Sequence, residues 1–269
     1  MDEYLQANRQ LWDQWTTEHE KSAFYNLAGF KAGQDRLRSI ELSELGDVSR
    51  KSLLHLQCHF GMDTLAWARR GATVTGIDLS EKSIALARSL SQELNIPAKF
   101  ICSDIYRLPD LLSQEFDIVF TSYGVLHWLR DLSHWGKIIA RFLKPNGIFY
   151  IVEDHPNFCM FTTEEETKLK LANPYFFSEI PDQVEATGSY ATDNRGEPAS
   201  FYIWNHSLGE VINALIEAGM TIEFLHEFPY AARAKFPFME KGADGWWRLP
   251  AHYPQIPFLF SLQARKAGS

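Results

Sequence analysis

The stretch Leu53-Leu54-His55-Leu56-Gln57-Cys58-His59-Phe60-Gly61-Met62-Asp63-Thr64 decides the fold of this chain. Its first half is a short apolar run, which is typical of a buried strand. Beyond Gly61 the apolar residues take helical spacing. A strand, a tight turn and a helix start form a ligand cradle in α/β proteins, because backbone N–H groups face out of the turn at an electropositive helix end. One glycine is a weak signal, so an ordinary strand-to-helix turn is the alternative.

Strand and helix patterns alternate along the chain after this stretch. Helical patterns separate most of the later β-rich runs, and such alternation predicts βαβ units with right-handed crossovers. Prolines precede the last run, which favours an edge position or an antiparallel pairing there. We therefore predict a Rossmann-like α/β fold with a seven-stranded, mostly parallel sheet, helices on both faces and an antiparallel last strand. The six later runs lie at 73–77, 100–102, 116–121, 148–152, 220–224 and 258–262.

Two segments fall outside this alternation. Residues 1–48 have helical patterns, and we interpret them as an N-terminal helical cap on residues 49–269, although simple packing would explain the same patterns. Residues 156–206, approximately, interrupt the rhythm between the fifth and sixth strands and are rich in aromatic residues. Aromatic side chains are costly to leave in water, which favours an insertion that covers a substrate over a solvated excursion.

Charge and composition argue against several classes of function. The net charge is −8 and no block of lysines and arginines occurs, so we expect no nucleic-acid partner. The cysteines, Cys58, Cys102 and Cys159, lack metal-ligand spacing, so we expect no metal site and a reducing compartment. The first residues are acidic and no apolar run approaches about 18–20 residues, so we expect neither a signal peptide nor a membrane partner. The expectation is a cytoplasmic monomer or homodimer.

Polar side chains follow most of the predicted strands. Ligands of open α/β sheets bind beyond the carboxyl ends of the strands, where these side chains would meet. Asp78 follows the second strand and could accept hydrogen bonds from two ribose hydroxyls, while Asp104 follows the third and could accept one from an adenine amino group. Each could instead cap a helix or a loop, but together they predict a nucleoside-shaped site. The strand-end residues are Gln57, His59, Asp78, Asp104, Ser122, Tyr123, Glu153, Asp154 and His155.

The turn after the first strand separates two kinds of nucleoside cofactor. Dinucleotides need a Gly-x-Gly-x-x-Gly turn, so that the pyrophosphate can approach the backbone. Here Gln57 and His59 carry side chains that would crowd a diphosphate, and Gly61 stands alone. The turn therefore favours a phosphate-free cofactor, and an NAD-dependent oxidoreductase is the alternative.

These features together resemble the class I S-adenosylmethionine-dependent methyltransferases. The resemblance covers residues 50–155 closely and 207–265 by pattern. It implies that residues 49–269 form a class I methyltransferase domain, which transfers a methyl group from S-adenosyl-L-methionine, its cofactor, to a small-molecule acceptor of open identity. The alternative is a non-catalytic regulator that binds the nucleoside or S-adenosylmethionine. The motifs that carry the resemblance are residues 53–61, 71–80, 103–105, 116–120 and 143–147.

The resemblance also assigns cofactor-binding residues by position. The first turn matches the loop that holds the methionine part of the cofactor, and Asp78 matches the ribose carboxylate. The sequence departs from the family at His55, where an acidic residue is frequent, and at Gln57 and His59, which replace two glycines. A similar Gln-Cys-His-Phe-Gly turn occurs in one uncharacterised small-molecule branch of the family, which favours a working variant. The implied cofactor-binding residues are Tyr25, Gln57, His59, Gly61, Asp78, Leu79, Asp104, Ile105, Ser122 and Tyr123.

Methyl transfer in line from a sulfonium needs positioning and exclusion of water, and it needs a base only if the acceptor keeps its proton. His127 follows the fourth strand, where substrates of this family approach, and Glu153 ends the fifth. These two residues are the candidate catalytic bases, and structural polar roles are the alternative for both. The predicted walls of the acceptor pocket are Trp128, Tyr175, Tyr190 and Trp204.

Overall fold

The described residues, 2–162, 167–192 and 198–268 of the computed structural model, contain eleven strands and eight α-helices. The predicted insertion at about 156–206 therefore lies partly outside the described residues. The strands are β1 Ser52–His55, β2 Thr73–Asp78, β3 Ala98–Cys102, β4 Phe116–Ser122, β5 Leu143–Asp154, β6 Asp182–Thr187, β7 Pro198–Ile203, β8 Met220–Phe228, β9 Glu240–Lys241, β10 Trp247–Arg248 and β11 Leu259–Lys266. The helices are α1 Glu3–His19, α2 Leu27–Lys31, α3 Ser39–Leu45, α4 Met62–Arg69, α5 Glu81–Glu93, α6 Leu132–Phe142, α7 Pro156–Met160 and α8 Leu208–Glu217.

The central sheet has seven strands in the order β3-β2-β1-β4-β5-β11-β8. Strands β1 to β5 pair in parallel, and β11 runs antiparallel to both of its neighbours, β5 and β8. The predicted Rossmann-like fold is confirmed, including the antiparallel last strand. That strand lies inside the sheet between β5 and β8, and β8 takes the edge.

Helices cover both faces of the sheet because its central strands are apolar on both sides. Leu53 and Leu54 are adjacent in β1 and both fully buried, yet they belong to opposite hydrophobic clusters. Side chains alternate across a strand, so a continuous apolar run requires a helix layer on each face. Helices α6 and α8 cover one face, and α4 and α5 cover the other.

Local capping signals fix where the helices around the site begin. The Ser80 side chain accepts a hydrogen bond from the Ser83 N–H and starts α5, directly after β2. Ser207 and Glu210 form a capping box that opens α8. The two short 3-10 turns, Ile105–Asp110 and Leu126–Trp128, follow β3 and β4. Each of these elements therefore begins at the carboxyl edge of the sheet.

The N-terminal segment and the insertion meet above that edge. Asn8 of α1 donates from Nδ2 to the Tyr202 carbonyl and accepts from the Tyr202 N–H, both at 2.8 Å. Strands β6 and β7 pair as an antiparallel hairpin whose Phe201 packs against Leu11 and Trp15 of α1. In the described part of the chain, the apolar stretches within helices are too short or too polar for a bilayer crossing.

Candidate functional site

A cavity of about 560 Å³ opens at the carboxyl ends of the parallel strands, under α1 and the β6–β7 hairpin. Its walls include thirteen of the sixteen residues that the sequence nominates. Glu153, Tyr175 and Trp204 instead border a smaller cavity of about 30 Å³. The thirteen are Tyr25, Gln57, His59, Gly61, Asp78, Leu79, Asp104, Ile105, Ser122, Tyr123, His127, Trp128 and Tyr190.

The first turn, residues 57–61, has a left-handed backbone at two residues that are not glycine. Gln57 has a φ of 55° and His59 a φ of 50°, both in the left-handed region that favours glycine. Such conformations cost free energy and persist only where surrounding contacts enforce them. The enforcing contacts are hydrogen bonds from the Cys58 N–H to the Ile77 carbonyl and from the His59 N–H to Asp78, at 2.8 and 2.7 Å.

Asp78 ends β2 with its carboxylate between this turn and the start of α5. Its Oδ2 accepts from the His59 N–H and its Oδ1 from the Ser80 N–H at 2.9 Å. Burial raises the pKa of the Asp78 carboxyl to about 6, and these backbone hydrogen bonds lower it in part. Each carboxylate oxygen can accept a second hydrogen bond, so the group can hold the turn and still bind hydroxyls from the cavity.

The Gln57 side chain provides the clearest sign that the turn accommodates a ligand. Its Nε2 donates to the Val125 carbonyl at 3.0 Å, which ties the turn to the chain after β4. Its Oε1 is buried and has no hydrogen-bond partner among the described residues, although Gln57 lines the cavity. A buried, unpartnered acceptor is costly. An ammonium or hydroxyl donor in the cavity would satisfy it.

The third strand adds a second carboxylate to the same edge. Asp104 accepts from the Tyr106 N–H at 3.1 Å and starts the turn at Ile105–Asp110. Burial raises the pKa of the Asp104 carboxyl. Leu79 and the buried Ile105 also line the cavity. The pair of carboxylates thus borders a space with apolar walls, as a nucleoside site requires.

The second turn, residues 122–126, follows β4 and is held from β5. Tyr123 has a φ of 46°, and its hydroxyl donates to Glu41 of α3 at 2.8 Å. Glu153 accepts from the backbone N–H groups of Gly124, Val125 and Leu126, and from that of Asp154. Burial raises the pKa of the Glu153 carboxyl to about 7. The predicted base Glu153 is therefore surrounded by backbone donors, away from the large cavity.

The other predicted base, His127, lines the large cavity. Burial is the main cause that lowers the pKa of its imidazole to about 3, and the nearby Arg233 and Lys235 lower it further. The ring is therefore neutral at physiological pH and can accept a hydrogen bond or a proton. The Trp204 backbone N–H donates to the His127 carbonyl at 2.9 Å, so Trp204 fixes the backbone position of His127.

Aromatic rings close the cavity from the N-terminal side and from the insertion. Trp12 of α1 lies 5.3 Å from the Trp128 ring, and Trp15 lies 5.8 Å from Tyr190. The Tyr25 and Tyr190 hydroxyls are hydrogen-bonded at 2.6 Å, which joins the predicted cap to the insertion. These contacts place aromatic rings from α1 and from the insertion side by side in the cavity wall.

A chain of histidines connects this cover to the first turn. His59 Nε2 and His19 Nδ1 share a hydrogen bond at 2.8 Å, and His59 Nδ1 bonds to Ser83 Oγ at 2.9 Å. His19 Nε2 bonds in turn to Ser189 of the insertion. Burial lowers the pKa of both imidazoles, that of His19 to about 3. The His59 side chain is thus engaged with α1, while its backbone holds Asp78.

With this geometry established, three comparisons identify related proteins. Residues 54–151 match the family model described as a methyltransferase domain. An uncharacterised methyltransferase of Synechocystis is 31% identical over 125 residues, which cover 46% of this chain and 56% of that protein. A ubiquinone biosynthesis O-methyltransferase of Idiomarina loihiensis is 37% identical over 101 residues, which cover 37% of this chain and 41% of that protein. An S-adenosylmethionine dependent methyltransferase structure from Mesorhizobium loti aligns with a TM-score of 0.53 and 19% identity, over 92% of this chain and 100% of that one.

Residues 54–151 form a methyltransferase domain. The methyltransferase domain expected from the resemblance is confirmed over these residues, and the fold expected from it is confirmed by the Mesorhizobium loti structure. The chain spans about half the length of the curated relatives that it matches. The methyltransferase domain contains the two turns and both strand-end carboxylates, Asp78 and Asp104.

Sequence reasoning missed several charged residues that the structure brings to the methyltransferase domain. Arg36 pairs with Asp63 at 3.5 Å and lies over the Tyr25 ring. Arg233 and Lys235 enter the cavity from the segment after β8. These residues come from distant parts of the chain and have no motif around them. Only Asp63 lies near a sequence motif, since it is the second residue after the first turn.

Proposed function

We propose that this protein transfers a methyl group from S-adenosyl-L-methionine to a small-molecule acceptor. One observation carries the proposal: a single cavity joins the strand-end carboxylates Asp78 and Asp104 to an aromatic chamber lined by Trp128. A cavity of about 560 Å³ lies within the usual range for small-molecule sites. This arrangement would accommodate a nucleoside cofactor and an acceptor side by side, as direct transfer requires.

The residues present fit the cofactor. Asp78 would accept the ribose hydroxyls and Asp104 the adenine amino group, with Leu79 and Ile105 beside the ring. The unpartnered Gln57 Oε1 and the Arg36–Asp63 ion pair would bind the ammonium and carboxylate groups of the methionine part. When bound, S-adenosyl-L-methionine would supply the methyl group as an electrophilic sulfonium. Aromatic faces of the chamber favour that positive charge.

The chain itself orients the acceptor, excludes water and receives a proton. An acceptor hydroxyl that receives the methyl group would become strongly acidic, while the electron pair of the former carbon–sulfur bond would stay on sulfur. A neutral imidazole at His127 can then take the proton at a ring nitrogen, even though burial lowers its pKa to about 3. Relatives named O-methyltransferases favour oxygen as the attacking atom.

Titration calorimetry with S-adenosylmethionine, S-adenosylhomocysteine and NAD tests the cofactor assignment. We expect binding of the first two ligands and none of NAD. Incubation of a metabolite extract with methyl-labelled S-adenosylmethionine then tests catalysis by the transfer of label to a small molecule. Binding without label transfer across a broad extract would favour the regulator, and tight NAD binding alone would contradict the proposal. The cytoplasmic location and the monomer or homodimer state stay predictions.

A further inference from the structure

Two cations enter the cavity beyond the end of β5, opposite the nucleoside side. Arg233 and Lys235 follow β8, and both line the cavity with Asp154 and Phe158. The sheet order separates them from the nucleoside side, since Asp78 and Asp104 end β2 and β3 whereas Asp154 ends β5. Neighbouring strands lie about 4.8 Å apart, so several strand spacings separate the two groups. The cations therefore belong to the acceptor half of the cavity.

Only one of the two cations pairs with a carboxylate among the described residues. Arg233 Nη2 donates to Asp154 Oδ2 at 3.0 Å, and the Asp154 side chain is only 6% exposed. Within the described ranges, no carboxylate oxygen lies within 4.0 Å of Lys235 Nζ. The ammonium instead lies over the Phe158 ring, 4.4 Å from its centroid. One positive charge is thus left without an ionic partner in a partly buried, aromatic setting.

The free-energy cost of that charge favours an anionic ligand. Burial lowers the pKa of the Lys235 ammonium to about 8, although Asp154 and Cys159 act in the opposite direction. An anion bound beside Lys235 would compensate for the lost hydration. The Arg233 guanidinium lies 5.4 Å from the Tyr190 ring and 4.8 Å from the Phe158 ring. Both cations therefore stand at the edge of an apolar wall.

We propose that the methyl acceptor is a small carboxylic acid with an aromatic or similarly flat apolar body. Its carboxylate binds Lys235 and Arg233, and its body packs against Phe158 and Tyr190. This inference rests on the proposed methyl transfer, since it names the class of acceptor for the same cavity. A carboxylate matches the planar donor geometry of arginine and the point charge of lysine.

Matched acids and amides test this inference with the protein loaded with S-adenosylhomocysteine. Benzoate, phenylacetate and 2-naphthoate are titrated against benzamide, phenylacetamide and 2-naphthamide, and tryptophan fluorescence is recorded because Trp12, Trp15 and Trp128 line the cavity. We expect at least one acid to bind tenfold or more tightly than its amide. Equal affinity within every pair, or no binding of any acid, overturns the inference.

The variant Lys235→Met assigns the effect to one charge. We expect it to weaken binding of the preferred acid about tenfold and to leave the affinity of its amide and of S-adenosylhomocysteine unchanged. Lys241→Met removes an exposed lysine from the same segment and serves as the matched control. If Lys235→Met weakens S-adenosylhomocysteine instead of the acid, the cation belongs to the cofactor and the inference fails. If the unaltered protein does not bind S-adenosylhomocysteine at all, that result contradicts the proposed function instead.

Discussion

The two turns at the centre of the sheet edge are built alike. Each follows a central parallel strand, and each contains non-glycine residues with left-handed backbone, Gln57 and His59 after β1 and Tyr123 after β4. In each case a carboxylate from the next strand accepts from the backbone of the turn, one N–H group in the first turn and three in the second. Asp78 of β2 holds the first turn and Glu153 of β5 holds the second.

The two carboxylates differ in how many further hydrogen bonds they can accept. Glu153 is 2% exposed and accepts four backbone N–H groups, which match the four acceptor sites of a carboxylate. Asp78 is half-buried, lines the cavity and accepts two such groups from neighbouring turns. Of these two strand-end carboxylates, Glu153 therefore anchors a turn, whereas Asp78 is also a candidate ligand-binding group.

The largest effect is expected from Glu153→Ala. The substitution leaves the buried N–H groups of residues 124–126 without their acceptor, and each unsatisfied group is costly. We expect the free energy of unfolding to fall by about 3 kcal/mol, as measured by urea denaturation. Glu217→Ala, at an exposed position of α8, is the control and should change it by no more than about 0.5 kcal/mol. Retained stability with lost activity would instead favour Glu153 as a catalytic base.

Asp78→Ala should act mainly on the cofactor. The variant removes the proposed ribose acceptor, and we expect S-adenosylhomocysteine affinity to fall by about 2 kcal/mol, or roughly thirtyfold. Asp110→Ala changes an exposed carboxylate at the end of the turn that follows β3, and it is the control in the calorimetric titration. Unchanged affinity in a folded Asp78→Ala protein would remove this carboxylate from the site and leave it with the anchoring role of Glu153.

The sequence predicted what local patterns encode. The strands and the positions of Asp78 and Asp104 follow from short segments whose patterns can be read locally. Whether a strand-end carboxylate faces a cavity or a turn depends on hydrogen bonds from another segment, so Asp78 and Glu153 could not be told apart. The cations at Arg233 and Lys235 were missed for the same reason, because β8 and the chain after it are brought there by long-range pairing.

The hydrogen bond between His19 of α1 and His59 of the first turn should make the free energy of unfolding sensitive to acid. Burial lowers the pKa of His19 to about 3, so below pH 6.5 the unfolded chain binds this proton and the folded one does not. Stability from this group is thus lost as pH falls. Between pH 7 and 5.5 we expect the unaltered protein to lose roughly 1.3 kcal/mol more than His19→Gln. The exposed His252→Gln variant is the control, and parallel pH profiles for His19→Gln and the unaltered protein would contradict this role.

The smallest effect is expected from Gln57→Gly in the first turn, and Arg50→Gly, outside that turn, is its control. Arg50 is exposed and has a φ of 62°, so Arg50→Gly relieves left-handed strain without losing a described side-chain hydrogen bond, and we expect a gain of about 1 kcal/mol. Gln57→Gly relieves similar strain at a φ of 55° but removes the hydrogen bond to the Val125 carbonyl. Because that bond is worth about 1 kcal/mol, we expect almost no net change in unfolding free energy. Equal gains in both variants would show that the Gln57 side chain does not connect the two turns, and S-adenosylhomocysteine affinity of Gln57→Gly would then measure its role toward the cofactor alone.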